Sequence, residues 1–279
     1  MKFDFFTFGG SVFWEDVFFY QKWRIQRNCY TKKYRLLDSW DIRRASGTFE
    51  DCQKAFINYI ECYEITKQRG DMIILLHGYG DSKNIFKPLW RKLMLTNANV
   101  AALNYPSLFR NAQGVAHQIL FFLNHIESIN KVSFVTKGCG NLVLQQLFNQ
   151  PLQLQNFRQN MRIGNIVEIN PVENSNLFCE LLSRFRLFHF LLGPFLKDFT
   201  ESEIKNLPSL PSEFRVLKIF SESKWLSIFH NILEKLNFYT KDTSIIQKNI
   251  IHVKEAFCPT LKNEQVLNFT VKFINNGKI

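Results

Sequence analysis

The chain has 279 residues, a formal charge of +11 and 46% hydrophobic residues, 29 phenylalanines among its aromatics. That length holds one large α/β domain or two small ones, and so apolar a composition excludes a disordered chain. The charge favours anionic surroundings such as nucleic acid, acidic lipid or an acidic partner, although no arginine-rich stripe or RNA-binding signature singles out nucleic acid.

The N-terminus sets Phe3, Phe5, Phe6, Phe8 and Phe13 among acids and glycines, which is neither a secretory apolar region nor an arginine-rich transit peptide. Residues Trp14 to Arg44 are aromatic and basic, with Trp14, Trp23, Tyr34 and Trp40 but no clean period. We read residues 1–50 as an arm packed on the core and 51–279 as a single domain. From Phe49 to Lys67, apolar residues at helical spacing (Phe56, Ile60, Tyr63) predict a helix ended by Gly70.

Met72 to Leu76 is a continuous apolar run, the mark of a strand buried on both faces of a parallel sheet. It delivers His77-Gly78-Tyr79-Gly80, after which Ser82 can cap a helix through Leu95. Val100 to Leu103 predicts a second strand, closed by Tyr105-Pro106, and Gln113 to Ser128 a helix with Ile119, Phe122, Leu123 and Ile126 on one face. Val132 to Val135 predicts a third strand, then a glycine-bracketed turn, then a helix from Cys139 to Phe148. Ile163 to Ile169 follows as a strand with Asn170-Pro171 at its exit, and Val216 to Phe220 and Ile250 to Val253 as the last two. Between them Leu177 to Phe199 is dense in Phe and Leu, Leu207 to Pro211 brings the chain back, and Glu264 to Ile274 is a terminal amphipathic helix. Alternating strands and helices predict an α/β, doubly wound and mostly parallel sheet with helices on both faces.

Chemistry is sparse outside the turn after Val135. The six cysteines, Cys29, Cys52, Cys62, Cys139, Cys179 and Cys258, contain no Cys-x-x-Cys pair. That excludes a zinc ribbon and fits free thiols in a reducing compartment, mitochondrial by the basic charge and otherwise cytoplasmic. His117 and His125 lie too far apart for a two-ligand metal pair, and no phosphate-loop pattern occurs, so no metal or cofactor is expected. Leu187 to Leu196, the longest greasy stretch, contains His189 and Gly193-Pro194 and falls short of the about 20 apolar residues of a bilayer span.

A strand, a small turn and a helix at Val132 to Val143, with Met72 to Gly80 upstream, resemble the α/β-hydrolase superfamily, in particular bacterial lipases and esterases of the triacylglycerol-lipase type. Trp23 to Asn28 with Arg35 to Asp38, Asn104 to Ser107, and Asn263 to Val266 with Phe273 resemble the arm, the strand end and the final helix of that group. The resemblance implies a lid-like insertion over about 173–212 and an oxyanion hole built from His77, Gly78, Tyr79, Gly80 and the backbone of Cys139. It also implies a serine where this chain has Gly138, and a histidine where it has Phe257; Asp242 is the nearest match to the acid. Thr136 and Gly140 match the elbow pattern, Lys137 replaces its usual histidine, and His252 reads as a strand residue rather than a displaced base.

A glycine cannot form an acyl-enzyme. The expected function is therefore a catalytically inactive hydrolase-like protein serving as a structural or accessory subunit, with other subunits as partners and acidic lipid or a membrane surface as a further contact. The alternatives are a lipid or acyl-ligand binder, its cleft lined by Phe185, Phe188 and Phe190, and a residual esterase using Cys139.

Overall fold

The aromatic N-terminal region forms an antiparallel meander. A computed structural model describes residues 13–150, 161–173, 193–207, 209–223, 250–255 and 260–278. Strands β1 (Trp14–Tyr20), β2 (Trp23–Asn28), β3 (Tyr34–Leu37) and β4 (Arg43–Gly47) pair in sequence order. The sequence, which shows no clean period here, did not reveal these strands. The two-residue period is hidden because β1 is covered on both faces and a bulge between Asp16 and Phe18 shifts its register. Phe19 faces one apolar cluster; Val17, Phe18 and Tyr20 face another.

Helix α1 (Phe49–Cys62) closes the second cluster with Phe49, Cys52 and Phe56. Thr48 and Asp51 form a reciprocal capping box at its start. The helix ends at Tyr63 rather than near Lys67, and Gly70 does not stop it. With φ +92°, Gly70 instead opens the next strand.

That strand, β5 (Gly70–Leu76), lies within a six-stranded parallel sheet with β6 (Asn99–Leu103), β7 (Ile129–Lys137), β8 (Arg162–Ile169), β9 (Val216–Ser223) and β10 (Ile250–Glu255). The order is β10-β9-β8-β7-β5-β6. Met72, Ile74 and Leu76 point to one face, where α3 (Ala112–Asn124) and α4 (Gly140–Phe148) pack. Ile73 and Leu75 point to the other, under α2 (Lys87–Leu93) and α6 (Glu264–Asn276). Within the lid-like range, Pro194–Phe199 forms a 3-10 turn and Glu201–Asn206 a short helix, α5.

Two helices are shorter than their patterns. The span after Ser82 divides into a 3-10 turn, Lys83–Phe86, and α2, whose first turn holds Pro88; the Ser82 side chain makes no capping bond. Helix α3 stops at Asn124, where the His125 ring nitrogen meets the Phe121 carbonyl at 2.7 Å. Ile126 remains buried on the α3 side without being helical.

A buried carboxylate joins the two sheets. Asp16 accepts from Gln26 Nε2 at 2.8 Å and the Asn104 backbone N–H at 2.7 Å, and it faces Arg24 at 3.5 Å. Its backbone N–H donates to the Asn104 carbonyl (2.9 Å), and its carbonyl accepts from Gln118 Nε2 (2.9 Å). Replacing Asp16 by Ala strands several buried donors, and urea unfolding should show a loss of about 3 kcal/mol. A loss no larger than that of a surface substitution would mean that the sheets are held by apolar packing alone.

Candidate functional site

Strand β7 ends at Lys137, α4 begins at Gly140, and Gly138 and Cys139 make the turn between them. Gly138 has φ +54°, the left-handed conformation that an elbow imposes on its central residue. A Cβ there would meet nothing nearer than Gly78 Cα at 3.8 Å, so the place for a nucleophile is present and clear. The Gly138 N–H donates to the Ile169 carbonyl at 2.9 Å, fixing the turn to β8.

Gly140 answers a different need. A Cβ on it would fall 2.7 Å from the Leu76 carbonyl oxygen and 3.1 Å from that of His77. The first turn of α4 thus lies directly against the end of β5. Backbone N–H groups of Asn141 and Leu142 bond to the carbonyls of Gly138 and Cys139 and start the helix tightly.

The loop His77-Gly78-Tyr79-Gly80 lies beside this turn. His77 is fully buried; its ring Nδ1 donates to the Gly78 carbonyl (2.9 Å), and Nε2 has no partner among the described residues. Its ring stacks on Tyr105 with centroids 3.9 Å apart, and the Tyr105 hydroxyl donates to the His77 carbonyl. Burial lowers the His77 pKa to about 4, so the ring is neutral at pH 7.

Two of the loop's amides are engaged. The Gly80 N–H donates to Ser107 Oγ at 3.1 Å, and the Tyr79 N–H donates to the Cys139 thiol. The Tyr79 ring meets Phe199 edge-on. Above Gly78, Lys137 Nζ donates to Asp81 Oδ2 at 2.7 Å and joins the elbow strand to this loop. Lys137 therefore holds the loop where the resemblance places a histidine.

Cys139 is 4% exposed within the apolar cluster under α3 and α4. Burial, only partly offset by the Tyr79 amide, pushes its thiol up to about 12. A thiolate is the reactive form, so this is the environment of a packing thiol and not of an activated nucleophile.

Of the remaining expected positions, His252 lies in β10 and stacks on Phe220 at 5.5 Å. Phe257, Asp242, Phe185, Phe188 and Phe190 lie outside the described residues. At the sheet edge beside the elbow, Asn170 Nδ2 donates to Ser221 Oγ (2.7 Å), the Ser221 N–H to Asn170 Oδ1 (2.7 Å), and Ser221 Oγ meets Thr260 Oγ1 (2.9 Å). This neutral network ties the ends of β8 and β9 to the start of the C-terminal turn. Sequence reasoning marked only Asn170, as a strand exit.

It also missed Glu168, a lone acid in the apolar run of β8, opposite Thr136 on one side and Lys218 on the other. Glu168 Oε1 and Thr136 Oγ1 are both buried without a hydrogen-bond partner among the described residues. Burial raises the Glu168 carboxyl to about 7, with Lys218 opposing the shift. Among the described residues no group of three or more His, Cys, Asp or Glu is placed to hold a metal, and no helix is long and apolar enough to cross a membrane.

No protein-family model and no curated protein matches the chain. Among solved structures, it is similar to a thermophilic esterase from Thermogutta terrifontis (11% identity, TM-score 0.48, 74% of this chain and 90% of that one). It is also similar to a variant of polyneuridine aldehyde esterase (12%, 0.44, 76% and 100%) and to a variant epoxide hydrolase from Bacillus megaterium (12%, 0.45, 76% and 95%). At these identities and scores no residue role passes from them to this chain.

Two measurements probe the site's construction. Gly140→Ala should cost about 1–3 kcal/mol in denaturant unfolding, because its methyl meets backbone that cannot yield. An unchanged midpoint would refute the close approach. Glu168 titrates near 7 folded against an ordinary 4.5, so its contribution is intact below pH 4.5 and lost as pH rises through 7. His77, lowered from 6.5 to about 4, works the other way: its contribution is intact above 6.5 and lost as pH falls towards 4. The melting-temperature gain of Glu168→Gln over the parent should therefore grow from pH 4 to pH 8, and a gain independent of pH would place Glu168 in a solvated setting.

Proposed function

We propose that this chain is a non-catalytic protein of α/β-hydrolase architecture, serving as a structural or accessory subunit of a larger assembly. One observation carries the reading: at the elbow, where covalent acyl transfer needs a hydroxyl or thiol, the residue held in the left-handed conformation is Gly138. Three further observations support it. The neighbouring thiol of Cys139 is buried and protonated, the Tyr79 amide is spent on that thiol, and the Lys137–Asp81 ion pair bridges elbow and loop. Together they commit the groups around the turn to holding the fold.

The test is turnover. With p-nitrophenyl esters and fluorophosphonate probes, the full chain should match its Gly138→Ala variant and show neither hydrolysis nor labelling above background. Iodoacetamide should alkylate the exposed Cys62 well before Cys139 in the native protein. Ester turnover abolished by a single substitution, or by preferential alkylation of Cys139, would replace this reading with the residual esterase.

A further inference from the structure

The turn between β3 and β4 is built around a buried carboxylate. Asp38 Oδ1 accepts from the backbone N–H of both Trp40 and Ile42 at 2.9 Å, and Asp38 Oδ2 accepts from Arg44 Nε at 2.7 Å. The backbone closes the same turn twice, from Asp41 N–H to the Asp38 carbonyl and from Asp38 N–H to the Ile42 carbonyl, both at 3.0 Å. Asp41, left-handed at φ +63°, pairs its half-exposed carboxylate with Lys83 (2.8 Å) and Arg24 (3.4 Å). Both acids of the turn are thereby paired with cations, Asp38 buried and Asp41 at the surface.

Beside that paired acid stand exposed apolar and cationic side chains. Trp40 is 78% exposed and Ile42 52% exposed, and Arg43 and Arg44 follow them on the surface. A chain that needed only a tight connection here would gain solubility from polar residues at both positions. Instead a rigid brace displays a tryptophan and an isoleucine two residues apart. Counted around the tip, Arg24, Arg35, Arg43, Arg44 and Lys83 outweigh Asp16, Asp38 and Asp41, so its field is positive. Tyr63, exposed at the nearby end of α1, is bracketed by Glu61 and Glu64, which limits the positive apolar footprint to the tip itself.

A narrow tip with two apolar side chains and a cationic collar is too small for a standard protein interface. It matches a lipid surface, where single tryptophans settle at headgroup depth and arginines meet phosphates. We propose that the β3–β4 tip docks this chain on an anionic bilayer surface through Trp40 and Ile42, with Arg43 and Arg44 contacting lipid headgroups. Asp41 ties the tip to Lys83, just beyond the Gly78–Gly80 loop, so the docked lipid lies on the edge of the molecule that carries the elbow.

Flotation of the full chain with phosphatidylcholine vesicles, with and without phosphatidylserine, tests this. Binding is expected only with phosphatidylserine, weakened about tenfold by Trp40→Ala/Ile42→Ser and reduced by Arg43→Gln and by added salt. Trp40→Phe keeps an aromatic ring and serves as the conservative control. It should still bind, while the quenching of tryptophan fluorescence by brominated lipid seen with the parent disappears. Binding that ignores Trp40 and Ile42, equal binding to neutral vesicles, or no binding at all would each overturn the proposal. So would a phosphatidylserine-insensitive chain that instead binds a purified acidic protein or a single-stranded nucleic acid through the same tip.

Discussion

The approach of α4 to the end of β5 sets most of what lies at the carboxyl edge of the sheet. With hydrogen at Gly140, the helix start can lie on the carbonyls of Leu76 and His77, and the turn before it must reverse within two residues. That reversal is what forces Gly138 into the left-handed region and presses Cys139 down among the apolar side chains under α3 and α4. The arrangement that would raise a nucleophile above the sheet is therefore retained by packing, independently of whether any nucleophile is there. A fold can keep the shape of a reactive turn because its core requires that shape.

Around the turn, polar groups are engaged with one another. Asn170, Ser221 and Thr260 satisfy each other across the strand ends, His77 is held neutral under Tyr105, and Asp81 is paired with Lys137. Catalytic sites keep strained or poised groups facing substrate. His77 Nε2, Thr136 Oγ1 and Glu168 Oε1 are exceptions, buried without a partner among the described residues, and Glu168 lies between Thr136 and Lys218 in the sheet.

Much of the parallel sheet was legible in the sequence, because strands covered on both faces must be apolar throughout, as Met72 to Leu76 are. The same criterion misleads where burial and helix diverge. Ile126 extends the apolar face of α3 past its end, so the pattern reports contact with the core and not backbone conformation. The meander was illegible for the converse reason: β1 is covered on both faces and bulged, so only its partners reveal its register. At the site, Gly138 and Gly140 look alike in the sequence and differ only in what stands opposite each. The Asn170–Ser221–Thr260 network joins three distant parts of the chain and leaves no local signature, whereas Glu168, an acid within an apolar run, was a signal that could have been followed.

The Asp16 junction has a consequence for how the protein is made. Strands β1 to β4 and α1 are neighbours in sequence and can close on each other as soon as they leave the ribosome. Their anchors come much later: Asn104 lies 88 residues beyond Asp16 and Gln118 lies 102 beyond it. During that interval Phe19 has nothing to rest on and Asp16 has only its β2 partners Gln26 and Arg24, since the surface that receives them is still being synthesised. Over that stretch of synthesis the meander and α1 stay a half-covered module, the stage at which a chaperone has most to hold.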